Sequence, residues 1–156
     1  MSALLPLLSD GFWSAVAAAG FAILFNVPRR TLPGCAIAGA VGYGLRTLLV
    51  EWGMMLELAT LAGAIVVGFL AEFFARRWQT PAAVFTVPGV IPLVPGSFAF
   101  HALMGLIQIT DLGGFGGTPV LVEAAVNAVR TGLILAAIAA GTAAPSLLFQ
   151  RHRPVV

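Results

Sequence analysis

The chain consists of long apolar stretches that alternate with short segments of charged and turn-forming residues. Each stretch has about 20 residues, the length that an α-helix needs to cross the hydrocarbon core, whereas strands of a membrane barrel alternate polar and apolar positions over about 10. The pattern predicts an all-α integral membrane protein with five transmembrane helices in a single membrane domain, residues 1–156. The predicted spans are approximately 11–27, 33–50, 54–74, 82–109 and 119–141.

The fourth predicted span contains three closely spaced prolines, Pro88, Pro92 and Pro95, together with Gly89 and Gly96. Proline has no backbone N–H and clashes with the carbonyl one turn earlier, so we expect this helix to be discontinuous. Unwound backbone is tolerated inside a membrane only where protein or a water-filled cavity satisfies its polar groups. In secondary transporters such breaks bind substrates, with the positive end of a half-helix facing an anionic group. The candidate substrate-binding residues here are Pro88, Pro92, Pro95 and Gly96.

The first two predicted helices resemble the next two when the chain is shifted by 48 positions. The shift places Gly20, Phe21, Phe25, Arg29, Pro33 and Leu45 on Gly68, Phe69, Phe73, Arg77, Pro81 and Leu93. Both units begin on the same side of the membrane, which predicts a parallel two-helix repeat, 20–45 and 68–93. A biased composition also produces matches by chance, so both interpretations stay open.

Composition and charge placement support the membrane class, since 60% of the residues are hydrophobic and only 9% are charged. The net charge of +2 does not indicate a nucleic-acid partner, because the basic residues stand singly or in pairs between apolar stretches. Six of the eight basic residues flank the first, third and fifth spans, and cytoplasmic loops are enriched in such residues. They are Arg29, Arg30, Arg76, Arg77, Arg151 and Arg153.

Five spans with the N terminus outside and the C terminus cytoplasmic fit all six placements. A re-entrant fourth segment would leave four crossings and would put Arg151 and Arg153 outside, which the charge rule disfavours. Met1–Gly11 holds no Lys or Arg, so we expect the first stretch to be a true span rather than a cleaved signal peptide.

Ionisable residues within predicted spans are functional candidates, because burying charge in a membrane is costly. Arg130 lies near the middle of the fifth span, and Asn127 and Glu123 share its helical face. A planar guanidinium suits a bidentate fit to a substrate carboxylate, and the alternative is a structural ion pair with Glu123 or with a partner subunit. Arg46, near the outer end of the second span, is expected to snorkel or to pair with Glu51.

Two polar residues follow the Pro-rich segment directly. Ser97 is placed to cap the second half-helix while leaving its first amides available to an anion. Histidine side chains exchange protons in the physiological range, so His101 is a candidate for proton coupling, together with Glu123. The alternative for His101 is a hydrogen-bonded helix residue without a transport role.

The sequence contains no enzymatic pattern, since it lacks nucleophile-elbow, metalloprotease and phosphate-loop motifs and places no carboxylate pair within a span. The glycine-rich run at 113–117 is expected to be a flexible outer loop. The single cysteine, Cys35, can form no internal disulfide and belongs to no metal-ligand pattern. We therefore predict no catalytic residues, no metal site and no cofactor.

Two motifs resemble those of a known family. Phe-Asn-Val-Pro-Arg-Arg at 25–30 leads into a Pro-Gly turn and a glycine-rich helix, and Val-Pro-Gly-Val-Ile-Pro-Leu-Val-Pro-Gly-Ser follows at 87–97. Over nearly the whole chain the arrangement is similar to the C-terminal membrane half of the threonine/serine exporter family. In the split form of that family a small five-span protein works with a larger separate subunit, as in the two-component bacterial succinate exporter. The fused members carry in addition an N-terminal half that this sequence lacks.

The resemblance implies a subunit of a secondary exporter of small carboxylate metabolites, either threonine and serine or dicarboxylates such as succinate. It implies a bacterial inner-membrane location in the lipid bilayer and a larger membrane subunit as partner, in a homo- or hetero-oligomer, and it assigns no residue roles. The alternative hypothesis is a non-transporting scaffold subunit that stabilises the larger partner. An intramembrane enzyme is disfavoured, because no catalytic pair is present.

Overall fold

The computed structural model describes residues 4–111 and 118–149, which form six α-helices and two short 3-10 helices with no β-strand among them. The α-helices are α1 (Leu4–Leu24), α2 (Leu32–Glu51), α3 (Leu56–Trp78), α4 (Ala83–Val90), α5 (Gly96–Asp111) and α6 (Thr118–Phe149). The 3-10 helices are Arg29–Thr31 and Ile91–Leu93. The predicted glycine-rich loop, Arg151 and Arg153 lie outside the described residues. The predicted all-α fold is confirmed.

Four of the described helices, α1, α2, α3 and α6, are long and apolar enough to cross a membrane. The helices α4 and α5 pass the same test together, and they add a fifth crossing if the pair forms one broken span. By length and composition the fold is therefore that of a membrane protein with four or five crossings.

The chain divides into two compact units. The first contains α1 to α4, the 3-10 helix Ile91–Leu93 and the part of α6 from Ala137 onward. The second, Val94–Ala136, contains α5 and the first part of α6. Within the first unit α2 is central, because it packs against α1, α3 and α4.

Glycines let α2 approach its neighbours closely. A Cβ at Gly39 would lie 2.6 Å from the Cβ of Ala18 in α1. A Cβ at Gly63 in α3 would lie 2.6 Å from the backbone oxygen of Gly42. Both distances are far below van der Waals contact, so only glycine permits this spacing. Such close approach is the usual packing device in lipid, where no hydrophobic drive pushes helices together.

Three helices end in a residue with positive φ: Asn26 at 57° after α1, Gly53 at 87° after α2 and Gln79 at 51° after α3. Backbone N–H groups beyond each helix return to carbonyls of its last turn, as when the Val27 nitrogen lies 2.9 Å from the Ala22 oxygen. This is the Schellman arrangement, which satisfies carbonyls that would otherwise lack donors. As a result α1 ends before Val27, which the sequence pattern had placed inside the first span.

The Pro-rich segment is interrupted later than its first proline. The helix α4 continues through Pro88 to Val90, the 3-10 helix Ile91–Leu93 follows, and α5 begins at Gly96. The three prolines therefore do not share one continuous helix, and Pro88 is the one that lies inside α4. A proline is tolerated within a helix where the carbonyl one turn earlier finds another donor.

The last part of α6 packs on α3, and the two run in the same direction. A Cβ at Gly141 would lie 2.7 Å from the Cβ of Ala64, and a Cβ at Gly68 would lie 2.9 Å from Cγ of Pro145. From the first contact to the second, the residue numbers rise by four in α3 and by four in α6. The numbers rise together only when two packed helices are parallel.

An aromatic cluster closes the turn between α3 and α4. The ring centroids of Phe74, Trp78 and Phe85 lie 5.3 to 5.6 Å apart. Gly34 of α2 lies beneath Phe85, since a Cβ there would be 2.7 Å from the ring. The cluster fixes the start of α4 against the start of α2.

Candidate functional site

The Pro-rich segment frees a carbonyl within α4, and α2 supplies its replacement donor. Pro88 lacks the N–H that would bond the carbonyl of Val84 one turn earlier. The Sγ of Cys35 in α2 lies 3.3 Å from that oxygen and donates to it. Cys35 is fully buried, so the thiol occupies the place of the missing backbone donor. This contact explains how α4 passes through a proline without breaking.

A second donor from α2 reaches the end of the 3-10 helix, where the helical path stops. Nη1 of Arg46 donates to the carbonyl oxygen of Leu93 at 3.0 Å. Leu93 is fully buried, and the Arg46 guanidinium lies 5.5 Å from the centroid of the Tyr43 ring. The expectation that Arg46 snorkels or pairs with Glu51 is wrong, because the guanidinium is directed to the Pro-rich segment instead.

The sequence carries a signal for this contact in the spacing of residues along α2. Arg46 follows Cys35 by 11 residues, or three helical turns, so both side chains project from one face of α2. Small residues fill the same face, and the shift of 48 positions aligns α2 with the Pro-rich segment. Combining these observations would have placed Arg46 beside the interruption.

The small-residue face of α2 covers the segment along its length. A Cβ at Gly89 would lie 3.1 Å from the Cβ of Ala38, and one at Gly42 would lie 3.8 Å from Cδ1 of Leu93. Pro88 and Gly89 are buried as well. The interrupted backbone of the first unit therefore faces protein on the side toward α2, and two of its carbonyls have side-chain donors there.

In the second unit, Arg130 lies beside the first turn of α5. Its guanidinium carbon is 5.3 Å from the centroid of the Phe98 ring, and α5 begins two residues earlier at Gly96. Arg130 is exposed and Asn127 is half-buried. The backbone oxygen of Asn127 accepts a hydrogen bond from the Thr131 hydroxyl at 2.7 Å. A cationic side chain and the positive end of a 16-residue helix thus lie close together.

The predicted cap at Ser97 is not formed among the described residues, because α5 begins at Gly96 and Ser97 is its second residue. The Ser97 backbone oxygen instead lies 2.7 Å from Nδ1 of His101. Since a carbonyl only accepts hydrogen bonds, Nδ1 is the donor in this contact.

A cavity of about 160 Å³ lies between α5 and the first part of α6. It is large enough for several water molecules, since each takes about 30 Å³ in the liquid. Its lining residues are His101, Met104, Gly105, Gln108, Val120, Glu123 and Ala124. His101 and Glu123, which come from two different predicted spans, therefore line one polar cavity.

The predicted site residues thus fall into two groups. Pro88 and Pro92 belong to the first unit. The second unit holds Pro95, Gly96, Ser97, His101, Glu123, Asn127 and Arg130. Within residues 4–111 and 118–149 no three His, Cys, Asp or Glu side chains are grouped so that they could hold a metal ion.

A family model described as "Threonine/Serine exporter, ThrE" matches residues 10–148, a range that reaches from α1 to α6. The chain belongs to the threonine/serine exporter family. An "Uncharacterized protein" of Haemophilus influenzae is 40% identical to this chain over 154 residues, which are 98% of the chain and 51% of that relative. The chain therefore spans about half the length of this curated relative. No solved structure matches the chain.

Membership of the threonine/serine exporter family confirms the resemblance found in the two sequence motifs. Together with the long apolar helices it identifies a multi-pass membrane protein of a transport family rather than an enzyme family.

Proposed function

We propose that the chain is a subunit of a secondary exporter that moves small carboxylate metabolites, threonine and serine or dicarboxylates such as succinate, out of the bacterial cell. The observation that carries the proposal is the interrupted backbone at Ile91–Leu93. Its Leu93 carbonyl is satisfied by Arg46 and is covered by α2 instead of lipid. Interrupted helices are tolerated in membranes where protein or a water-filled cavity satisfies their backbone, and secondary transporters form their substrate sites from such helices.

The substrate carboxylate binds at the start of α5. The N-terminal amides of a long helix and the guanidinium of Arg130 both favour an anion, and Phe98 holds that guanidinium near the first turn. Gly96 and Ser97 are exposed there, and Asn127 contributes an amide one turn before Arg130. Pro88, Pro92 and Pro95 set the backbone path that exposes this helix start.

Protons drive export through the cavity lined by His101 and Glu123. Its polar lining and its volume of about 160 Å³ suit a chain of waters between the two side chains. The bond from Nδ1 of His101 to the Ser97 carbonyl ties the protonation of this ring to the first turn of α5.

The proposed topology has five crossings, with the N terminus outside and the C terminus in the cytoplasm; arginine placement supports this orientation, and the packing of α3 on α6 supports the number of crossings. In a five-crossing chain α3 is the third crossing and α6 the fifth, so the two run in the same direction. A re-entrant α4–α5 pair would make α6 antiparallel to α3. The contacts of Ala64 with Gly141 and of Gly68 with Pro145 have the parallel register.

The chain works with a larger membrane subunit that supplies the rest of the pathway. The Haemophilus relative supports this partner, because about half of that protein lies outside the match. Exposed apolar side chains on α1, such as Phe12, Trp13 and Val16, offer surface to either lipid or this partner.

The proposal is tested by replacing the gene in its host and measuring efflux of labelled threonine, serine and succinate from preloaded cells. Removal of the chain should slow the efflux of at least one of them, and Arg130→Gln should do the same at an unchanged amount of protein. If removal slows efflux but Arg130→Gln does not, the chain is a scaffold for its partner. If removal leaves the efflux of all three compounds unchanged, the chain is not part of their exporter.

A further inference from the structure

An open polar groove lies at the corner where α3 ends and α4 begins. Its volume is about 400 Å³, within the range of pockets that hold small molecules, roughly 300–1,000 Å³. The chain turns sharply here, because Gln79 has a φ of 51° and the Thr80 nitrogen lies 3.1 Å from the Ala75 oxygen. The polar side chains that line the groove are those of Glu72, Arg76, Gln79 and Thr80. All of the groove belongs to the first unit, so its shape is set within that unit.

One hydrogen-bonding group of the groove lacks a partner. The hydroxyl oxygen of Thr80 is buried and has no hydrogen-bond partner within the described chain. Six other described threonines donate to a backbone oxygen three or four residues earlier: Thr31, Thr60, Thr86, Thr110, Thr131 and Thr142. Thr80 departs from this pattern because the Arg76 oxygen, four residues earlier, already accepts from Nε2 of Gln79 at 2.8 Å. Buried hydroxyls are normally hydrogen-bonded, so the one at Thr80 indicates a ligand in the groove that it lines.

The start of α4 adds backbone donors to the same groove. Ala82 lines the groove and directly precedes Ala83, the first residue of α4. The backbone bonds of this turn begin at the Val84 nitrogen, which donates to the Pro81 oxygen at 3.1 Å. The first N–H groups of a helix lack acceptors within that helix, and they favour an anion. Thr80 and the first turn of α4 therefore offer hydrogen-bond donors to a negatively charged group.

Two pairs of arginines lie at this end of the first unit. The start of α2 contacts the end of α3, because a Cβ at Gly34 would be 3.2 Å from the Trp78 ring. This contact brings together the pair before α2 and the pair that ends α3, which are Arg29, Arg30, Arg76 and Arg77, all exposed. Arg76 is neutralised by Glu72, whose Oε1 accepts from Nε and Nη2 at 3.2 and 3.1 Å. Within residues 4–111 and 118–149 this is the one salt bridge, so the other three arginines keep their positive charge.

We propose that the groove binds the phosphate head group of an anionic phospholipid from the cytoplasmic leaflet. The Thr80 hydroxyl and the first amides of α4 donate to the phosphate oxygens, and Arg29, Arg30 and Arg77 supply the attracting charge. Basic pockets between helices on the cytoplasmic side of a membrane bind lipid head groups, and the proposed topology places this end of α3 in the cytoplasm. The inference goes beyond the proposed function and does not depend on which metabolite is exported.

A lipid fits this position better than free phosphate, because apolar surface continues from this end of α3 into the span. Phe69, Phe73 and Arg77 follow one another at four-residue spacing and therefore share one face of α3. Phe69 is 39% exposed and Phe73 is 64% exposed. An acyl chain along these rings buries apolar surface while the phosphate stays beside the arginines. A free phosphate ion would gain nothing from the two rings.

The test measures the lipid affinity of the purified full chain by native mass spectrometry in detergent, with phosphatidylglycerol or phosphatidylcholine as the added lipid. The variants are Thr80→Val, which removes the hydroxyl at nearly equal volume, Thr80→Ser, which keeps it, and Arg77→Gln. The matched control is Thr86→Val, because Thr86 is a half-buried threonine of α4 whose hydroxyl already donates to the Ala82 oxygen at 3.0 Å. A further titration adds inorganic phosphate as a competitor at the concentration of the lipid.

The wild type and Thr80→Ser should bind phosphatidylglycerol about 10-fold or more tightly than phosphatidylcholine, the factor expected from one hydrogen bond to a charged group. Thr80→Val should lower the affinity for phosphatidylglycerol by about 3- to 10-fold. Arg77→Gln should lower it by about fivefold, since one arginine near a charged membrane surface contributes about this factor. Thr86→Val should keep the wild-type affinity.

Equal affinities of Thr80→Val and Thr86→Val for phosphatidylglycerol overturn the groove as the binding site, even where Arg77→Gln weakens binding. If circular dichroism shows that Thr80→Val does not fold, Thr80→Ala is compared with Thr80→Ser, and equal affinities of these two have the same meaning. Equal binding of the two lipids by the wild type overturns recognition of the anionic head group. Displacement of phosphatidylglycerol by an equal concentration of inorganic phosphate overturns the lipid as the ligand.

Discussion

Gly63→Ala is the substitution whose effect follows most directly from the packing of α2 on α3. The new Cβ would lie 2.6 Å from the backbone oxygen of Gly42, where ordinary contact begins at 3.4 Å. No side-chain rotation can relieve this overlap, because the opposing atom belongs to the main chain. The two helices must therefore separate, and overpacking of this kind costs about 1–3 kcal/mol. The greater helix propensity of alanine returns up to about 1 kcal/mol, so we expect a net loss of about 1–2 kcal/mol.

The matched control is Gly44→Ala in α2, two residues after the Gly42 that Gly63 contacts. A Cβ at Gly44 would meet nothing within 4 Å, so this variant should keep the gain from helix propensity, up to about 1 kcal/mol. Unfolding of the purified chain in mixed detergent and SDS micelles, followed by circular dichroism, gives both free energies. Because the gain from helix propensity is common to both variants, we expect them to differ by the overpacking cost alone, about 1–3 kcal/mol. Equal stabilities of the two variants would refute the close packing of α2 on α3.

Three further substitutions have defined outcomes. Cys35→Ala should lower the free energy of unfolding by about 1 kcal/mol, because the Val84 carbonyl loses its donor, whereas Cys35→Ser should not; equal losses in the same assay would remove the thiol's role. Arg130→Gln should slow threonine efflux in cells by about 10-fold or more with protein amount unchanged on immunoblots, since it removes a charged bond to the substrate. His101→Gln should leave threonine exchange in vesicles intact but abolish its acceleration by an imposed pH gradient; retained acceleration would exclude His101 as the coupling residue.

Much of the fold followed from local sequence pattern. The apolar stretches predicted the long helices, because a membrane-spanning helix must be apolar over its whole length. The ion pair of Glu72 with Arg76 is equally local, since side chains four residues apart on a helix are neighbours. The structure interrupts the helix between Val90 and Gly96, within the proline-rich segment where proline chemistry predicts a break.

The contacts that matter most for the site could not be derived locally. Whether Pro88 breaks a helix depends on Cys35, which lies 49 positions away on another helix. The partner of Arg46 is a backbone oxygen 47 positions away, and a backbone acceptor carries no signature in the sequence. Ser97 was placed before a helix that starts one residue earlier, and helix boundaries are uncertain by one or two residues in any such assignment.

The central claim is that the interrupted segment opens to water within the membrane, and thiol labelling at Ser97 tests it most directly. In a Cys35→Ser chain, Ser97→Cys and Leu103→Cys both place a thiol on α5. Ser97 lies in the first turn of α5 next to Phe98, which Arg130 contacts, whereas Leu103 is an exposed apolar side chain farther along the helix. Maleimides react with the thiolate, which forms in water and not in lipid. We predict that a membrane-impermeant maleimide modifies Ser97→Cys quickly, is slowed by threonine, and leaves Leu103→Cys unmodified. Equal reactivity at the two positions, or no reaction at Ser97→Cys, would contradict a substrate path at this site.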